Sequence, residues 1–206
     1  MGPKELTRKE REYLARRDEI LQAALKLFSE KGYHQTSMSE IAKEAEFSIG
    51  SLYGFFKNKE ELFFTLIKGE IEEIESRVAP KMSQEKDPRN KLRSLADSLF
   101  NYFEERWQAF TIFTMNHHDF PATLSSDLGK MIHSKQMDFL KTLTEIANQG
   151  IEQGIFRPLR PEEMALAFQG LINGSVFLWI ASDRNYSLKE RIPGILDIFY
   201  RGVLKS

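Results

Sequence analysis

The fold is decided by the stretch Thr36-Ser-Met-Ser-Glu-Ile-Ala-Lys-Glu-Ala45-Glu-Phe-Ser48-Ile-Gly-Ser-Leu-Tyr-Gly-Phe-Phe56. Ser37 and Glu40 stand at capping-box spacing, in which a hydroxyl and a carboxylate each satisfy an orphan amide at a helix start. Behind them Met38, Ile41, Ala42 and Ala45 line one face of a short helix near 38–45. Ser48 then caps a second helix near 49–56, which carries Ile49 through Phe56. Only Glu46 and Phe47 separate the two, so the helices must cross steeply, which is helix-turn-helix geometry.

Upstream, Thr7 and Glu10 repeat the capping-box spacing. Ile20, Leu21, Ala24, Leu25 and Phe28 form the apolar stripe of a helix near 8–31 that Gly32 stops. Downstream, Asn58 and Glu61 open a helix near 59–79 that runs through Leu62, Leu66, Ile71 and Ile74 toward Pro80. Asp87 and Pro88 then supply a cap and a first-turn proline ahead of Leu92, Leu95, Leu99 and Phe103. Further helices are expected around Trp107, Phe110 and Phe113, over about 125–153, from Pro161 onward, and over about 188–204. No alternating Val/Ile/Thr run and no Asn-Gly or Asp-Gly hairpin marks a strand. The expectation is an all-α chain of about nine helices. A three-helix domain at 1–75 is joined by a long helix to a helical domain at 76–206.

Composition narrows the function classes. The 206 residues carry 29 Lys+Arg against 30 Asp+Glu, a net charge of −1, so composition alone predicts no long-range steering toward DNA. Within the first 17 residues, however, Lys4, Arg8, Lys9, Arg11, Arg16 and Arg17 outnumber Glu5, Glu10 and Glu12, and such an arm can touch a phosphate backbone. The absence of cysteine removes disulfides, thiolate metal sites and cysteine nucleophiles. No apolar leader follows Met1, and a cytoplasmic location is expected. Met164 to Ala181 carries no formal charge, but Gln169, Asn173, Ser175 and two glycines within it point to a buried helix at a domain or subunit interface rather than a membrane span.

Three pieces in order, Ile20-Leu-Gln-Ala-Ala-Leu-Lys-Leu-Phe-Ser-Glu-Lys-Gly-Tyr33, Thr36 through Ala45, and Ser48 through Leu62, closely resemble the N-terminal DNA-binding domain of TetR-family transcriptional repressors. A looser similarity continues through Gly150-Ile-Glu-Gln-Gly-Ile-Phe-Arg157 and a proline-started helix containing Asn173-Gly174. The resemblance implies a ligand-responsive repressor with no catalytic residues and no cofactor. It also implies an all-helical effector-binding and dimerisation domain. By the same resemblance Tyr53 and Lys59 match phosphate-contacting positions, while Ile49, Gly50 and Ser51 match the positions nearest the bases. Thr36 and Ser37, at a helix start, and the cap Ser48 are further phosphate candidates. Small residues at Ser48, Gly50, Ser51 and Gly54 let the helix backbone approach the groove floor, which explains two glycines that each cost about 1 kcal/mol relative to alanine in a helix. The chain departs from the family pattern at Ile49, where a polar or basic residue is common, and at Glu46, where glycine is usual.

A dimer is expected to bind a (pseudo)palindromic double-stranded operator. Gly170, Gly174, Leu178 and Ala181, with Ile192, Ile195 and Phe199, are the expected dimer interface. A small apolar or aromatic effector is expected among Phe103, Trp107, Phe110, Phe113, Met137, Phe168 and Phe177, with Asn116, His117, Gln169 and Asn173 as polar anchors. Two other classes compete. A metal-containing helical enzyme would use His117, His118 and Asp119, although adjacent histidines do not face one site from a regular helix and no metalloprotease motif is present. A helical adaptor that binds only protein would lack duplex affinity altogether.

Overall fold

The structure, a computed structural model, describes residues 6–115 and 127–204, without the side chains of Phe113, Thr114 and Met115. Nine α-helices lie among the described residues: α1 (Arg8–Lys31), α2 (Met38–Glu44), α3 (Ile49–Phe55), α4 (Lys59–Gln84), α5 (Pro88–Glu105), α6 (Trp107–Met115), α7 (Asp127–Glu152), α8 (Pro161–Ala181) and α9 (Ile192–Val203). A 3-10 turn at Leu188–Arg191 precedes α9, and one isolated bridge pairs Phe156 with Leu204. The expected all-α architecture is what the chain adopts. It forms two compact units, one ending at Glu70 and joined by Thr111 and Ile112, the other comprising Ile71–Phe110 and the chain from α7 onward. The residues of α4 belong to both.

The capping boxes at Thr7 and Ser37 form as their spacing demands: each hydroxyl accepts from the amide three residues on, and Glu10 and Glu40 accept from the cap amides. In the N-terminal unit α1 buries Ile20, Ala24, Leu25 and Phe28, α2 buries Ile41 and Ala42, and α4 buries Leu62, Leu66 and Ile67. Phe28 packs edge-on against Phe63 at 5.1 Å between centroids. Each of the buried Leu, Ile and Phe side chains contributes about 1.5–3 kcal/mol of burial, enough to hold α1, α2 and the start of α4 around one small core.

The α2–α3 turn contains the departure noted at position 46. Glu46 has φ 60°, in the left-handed region that favours glycine, while the Phe47 amide closes the end of α2 by donating to Ala42 O at 2.8 Å. Glu46→Gly is therefore expected to raise the stability of this unit by about 0.5–1 kcal/mol, read as a higher denaturation midpoint at unchanged slope. A lower midpoint would mean that the Glu46 side chain compensates its backbone.

Two boundaries differ from expectation. Helix α4 continues through Pro80 to Gln84 instead of ending near 79, and Ser83 donates its hydroxyl to Pro80 O within the added turn. The last helix begins at Ile192, after the 3-10 turn, rather than at 188.

In the C-terminal unit α8 is long and apolar enough by composition to cross a membrane, yet one face of it is core. Met164, Ala165, Phe168, Ile172, Val176 and Trp179 are buried against α5, α7 and α9, and the Trp179 indole N–H donates to Tyr186 O at 2.7 Å. The opposite face carries Leu166, Gly170, Gly174, Phe177, Leu178 and Ala181, all exposed. On α9 the expected interface residues are corrected: Ile192, Ile195 and Phe199 point into the unit's own core, and Phe199 stacks edge-on with Phe168 at 5.2 Å. The apolar residue that α9 turns outward is Ile198.

The expected effector cluster also divides. Met137, Asn173 and Phe177 are exposed, so they line no interior space. Phe103 and Phe110 form an edge-on pair at 5.0 Å, Trp107 is covered by the Arg184 guanidinium at 3.7 Å from its ring centroid, and Gln169 is half-buried. Phe168 borders a cavity of about 10 Å³ with Leu92, Leu143, Ala147, Phe156 and Phe199, no larger than about one water. The Phe113 side chain, Asn116 and His117 lie outside the described residues, as do His118 and Asp119.

Candidate nucleic-acid interface

Helix α3 is anchored by one face and bare on the other. Leu52 is fully buried and Phe56 nearly so, while Phe55 is clasped between Tyr13, stacked at 4.9 Å, and Phe47, edge-on at 6.0 Å. Ser48 caps the helix by accepting from the Ser51 amide at 3.1 Å, and the two hydroxyls lie 2.8 Å apart. Outward stand Ser48, Ile49, Gly50, Ser51, Tyr53 and Gly54, with Ile49 43% and Tyr53 52% exposed. A Cβ built on Gly50 or Gly54 meets no atom within 4 Å, so nothing inside the protein requires glycine there. A narrow, bare helix edge next to an apolar tip suits entry into a major groove.

Beside α3 lies an open groove of about 520 Å³, lined by His34, Gln35, Thr36, Ser37, Met38, Ser39, Ile49, Tyr53 and Lys59. The structure thus brings Ser37, Ile49, Tyr53 and Lys59 to one surface. It adds His34, Gln35 and Ser39, which no spacing in the sequence singled out because they sit on a turn and on the exposed side of α2.

Thr36 is corrected. Its side chain is buried and its hydroxyl donates to Gly32 O at 2.9 Å, closing the end of α1, so the hydroxyl is spent inside the protein. Lys59 is committed in part. Its ammonium donates to Tyr33 O and Thr36 O, both at 2.8 Å, and lies 4.3 Å from the Tyr33 ring centroid. Of its three N–H donors one is left for a phosphate. Burial pushes the Lys59 pKa below its ordinary value, against the charge of Glu40, which raises it. Lys59 thus ties the 33–36 turn to the start of α4 and offers a single remaining donor to the groove.

The start of α2 is already occupied by an anion. Glu40 accepts from Lys31 at 2.9 Å and from the Ser37 amide and hydroxyl, both at 2.8 Å. The Lys31 hydrogen bond, then those from Ser37, hold the Glu40 carboxyl down to about 2. Because the folded value lies below the ordinary 4.5, this contribution is complete above pH 4.5 and disappears as pH falls toward 2. Glu40→Gln is expected to flatten that part of the acid limb in a series of thermal midpoints. An acid limb identical to that of the parent would show that the Lys31–Glu40–Ser37 cluster contributes nothing to it.

Among the described residues no group of three or more His, Asp or Glu side chains is placed to hold a metal ion.

Residues 20–66 match the family described as bacterial regulatory proteins, tetR family, and residues 85–203 match the tetracyclin repressor-like C-terminal domain. The fatty acid metabolism regulator protein of Bacillus subtilis (strain 168) is 24% identical over 188 residues, covering 90% of this chain and 94% of its own. The structure of the ketosteroid transcriptional regulator KstR2 of Mycobacterium tuberculosis superposes with a TM-score of 0.79 at 25% identity, over 93% of this chain and 96% of that one. That of the transcriptional regulator FadR from Bacillus subtilis, in complex with stearoyl-CoA, gives 0.74 at 24%, over 90% and 98%.

Proposed function

The chain belongs to the tetR family of bacterial regulatory proteins and is a ligand-responsive helix-turn-helix transcriptional repressor, and from that premise we propose that it binds a (pseudo)palindromic operator as a homodimer and is released by an apolar, lipid-derived effector. The bare edge of α3 carries the DNA reading: Gly50 and Gly54 have no internal reason to be glycine, and Ile49 stands with them and Tyr53 on the exposed side. Ile49 would read a thymine methyl by apolar contact, while Gly50, Ser51 and Gly54 admit the backbone close to the base edges. Ser48, Tyr53 and the remaining donor of Lys59 would position the helix on phosphates, whereas the amide and hydroxyl of Ser37 are both spent on Glu40.

The homodimer reading rests on the exposed face of α8 and α9. Leu166, Gly170, Gly174, Phe177, Leu178 and Ala181, with Ile198, form an apolar surface whose glycines leave open space for a partner helix. Phe177 and Ile198, each 64% exposed, are its outermost side chains.

Relatives named for fatty acid metabolism and for a ketosteroid regulator support a lipid-derived effector rather than an aromatic one. A long-chain acyl thioester of coenzyme A is the first ligand to test. It would bind better to a conformer whose two recognition helices are wrongly spaced, with α4, whose residues belong to both units, as the covalent link. The test begins with light scattering, expected to return a dimer, and a duplex selected by the chain from random sequence. Stearoyl-CoA is then expected to weaken binding to that duplex by about 5–150-fold. Absence of any duplex binding at low salt would sink the DNA reading. A thioester that raises the melting temperature yet leaves duplex affinity unchanged would sink the coupling.

A further inference from the structure

Helix α1 starts at Arg8, but its first buried residue is Ile20, and the family match also begins at residue 20. The intervening helix is about 18 Å long. Residues 6–16 are all exposed, which leaves this stretch without a core to explain it.

Two contacts place it beside α3. Tyr13 stacks on Phe55 at 4.9 Å, and Arg17 lies 5.0 Å from the Phe56 ring centroid and donates to the Thr65 hydroxyl at 3.4 Å. Arg16 lines an open groove with Ser48 and Ser51, two residues exposed at and next to the start of α3; the far side of that groove carries Asp18, Glu19, Glu46 and the Lys26–Glu44 pair, so Arg16 is the cation at its α3 end. Lys9, Tyr13 and Arg16 share one helix face by their spacing. Arg8 is paired with Glu12 at 2.7 Å and Arg11 donates to Leu6 O at 2.8 Å. Lys9 and Arg16 make no such contact among the described residues. From Arg8 to Arg17 five cations face two carboxylates, Glu10 and Glu12, in a chain whose net charge is −1.

We infer that the first three turns of α1 are a second DNA-contacting element, which lays Lys9 and Arg16 on operator phosphates next to the recognition helix. The inference rests on the DNA reading above and extends it beyond the helix-turn-helix. Charge complementarity selects the partner: two unpaired cations on one helix face, one of them beside Ser48 and Ser51, fit a row of phosphates. A phosphate contact carries no sequence information, so this element strengthens binding to all duplexes and leaves base choice to α3.

The double variant Lys9→Ala with Arg16→Ala tests this on two duplexes of equal length, one selected by the parent chain and one of random sequence. The slope of log affinity against log salt is expected to fall by about two units on both. Between about 50 and 200 mM salt the variant would then lose about 16-fold less affinity than the parent. Tyr13→Ala keeps every charge but frees the arm from Phe55, and its slope is expected to fall as well. Circular dichroism and light scattering should match the parent, because all three side chains are exposed. An unchanged slope in either variant overturns the inference, and so does a drop confined to the selected duplex. A change in self-association at constant slope would make this face a protein contact and overturn it too. Failure of the parent chain to bind any duplex would take down the underlying reading, an outcome read on the parent alone.

Discussion

A chain with both Gly50 and Gly54 replaced by alanine is expected to melt at a higher temperature and to lose its operator. The two effects have separate causes. Neither glycine has a left-handed backbone angle, and a Cβ at either site enters open space, so alanine removes backbone entropy from the unfolded chain without introducing a clash. The gain is about 0.5–1 kcal/mol per site, or roughly 4–8 °C per kcal/mol in a domain of this size. The same methyl groups stand on the outward edge of α3, beside Ile49 and Tyr53, where a major-groove floor would come within van der Waals distance. Each displaced base contact is worth about 1–3 kcal/mol, so affinity for the selected duplex should fall by about 10²-fold or more. The salt slope should hold, because neither substitution removes a phosphate-contacting side chain. A stabilised double variant with parental affinity would mean that the glycines are incidental and that α3 does not approach the bases closely.

The parts of this molecule that were legible in its sequence are those fixed by short-range spacing. Thr7 with Glu10 and Ser37 with Glu40 each set a helix start through contacts three residues apart, and both boxes form. Glu46, where the resembled family carries glycine, does take a left-handed angle. What spacing could not give is the direction of a side chain whose partners lie far along the chain. Lys59 is held by carbonyls 26 and 23 residues upstream. Thr36 sits at a helix start, yet its hydroxyl turns back to close the preceding helix. On α9 two apolar faces compete. The stripe Ile192, Ile195, Leu196 and Phe199 has the stronger period and goes to the core, so the outward face falls to Ile198 among Gly194 and Gly202. The same ambiguity misplaced Phe177, since a helix that is uncharged all round does not say which apolar residue meets its own unit and which meets a partner.

Gly150 decides how the chain leaves α7, and its replacement is the second large effect. A Cβ there would lie 2.0 Å from one ring carbon of Phe156 and 2.3 Å from another. The ring has no room to withdraw. It is buried beside Leu92, Leu143 and Phe199. Its backbone is pinned on both sides: the Ile155 and Phe156 amides donate to Gly150 O, both at 2.9 Å, and the Arg157 amide donates to Val203 O at 2.7 Å. Gly150→Ala is therefore expected to destabilise the C-terminal unit by about 3 kcal/mol, the upper part of the range for overpacking, despite the better helix propensity of alanine. Phe156→Ala, which empties the same space, should cost about 3–5 kcal/mol. Combined, the two changes relieve each other, because the methyl introduced at position 150 enters the volume the ring has left. The double variant should then be more stable than the sum of the single effects by about 2–3 kcal/mol. Denaturant titrations of the parent, the two single variants and the double variant close this cycle. Strict additivity would show that the ring and the glycine do not share one space, and a stabilised Gly150→Ala would show that the 150–157 turn shifts freely instead of being held between α7 and the end of α9.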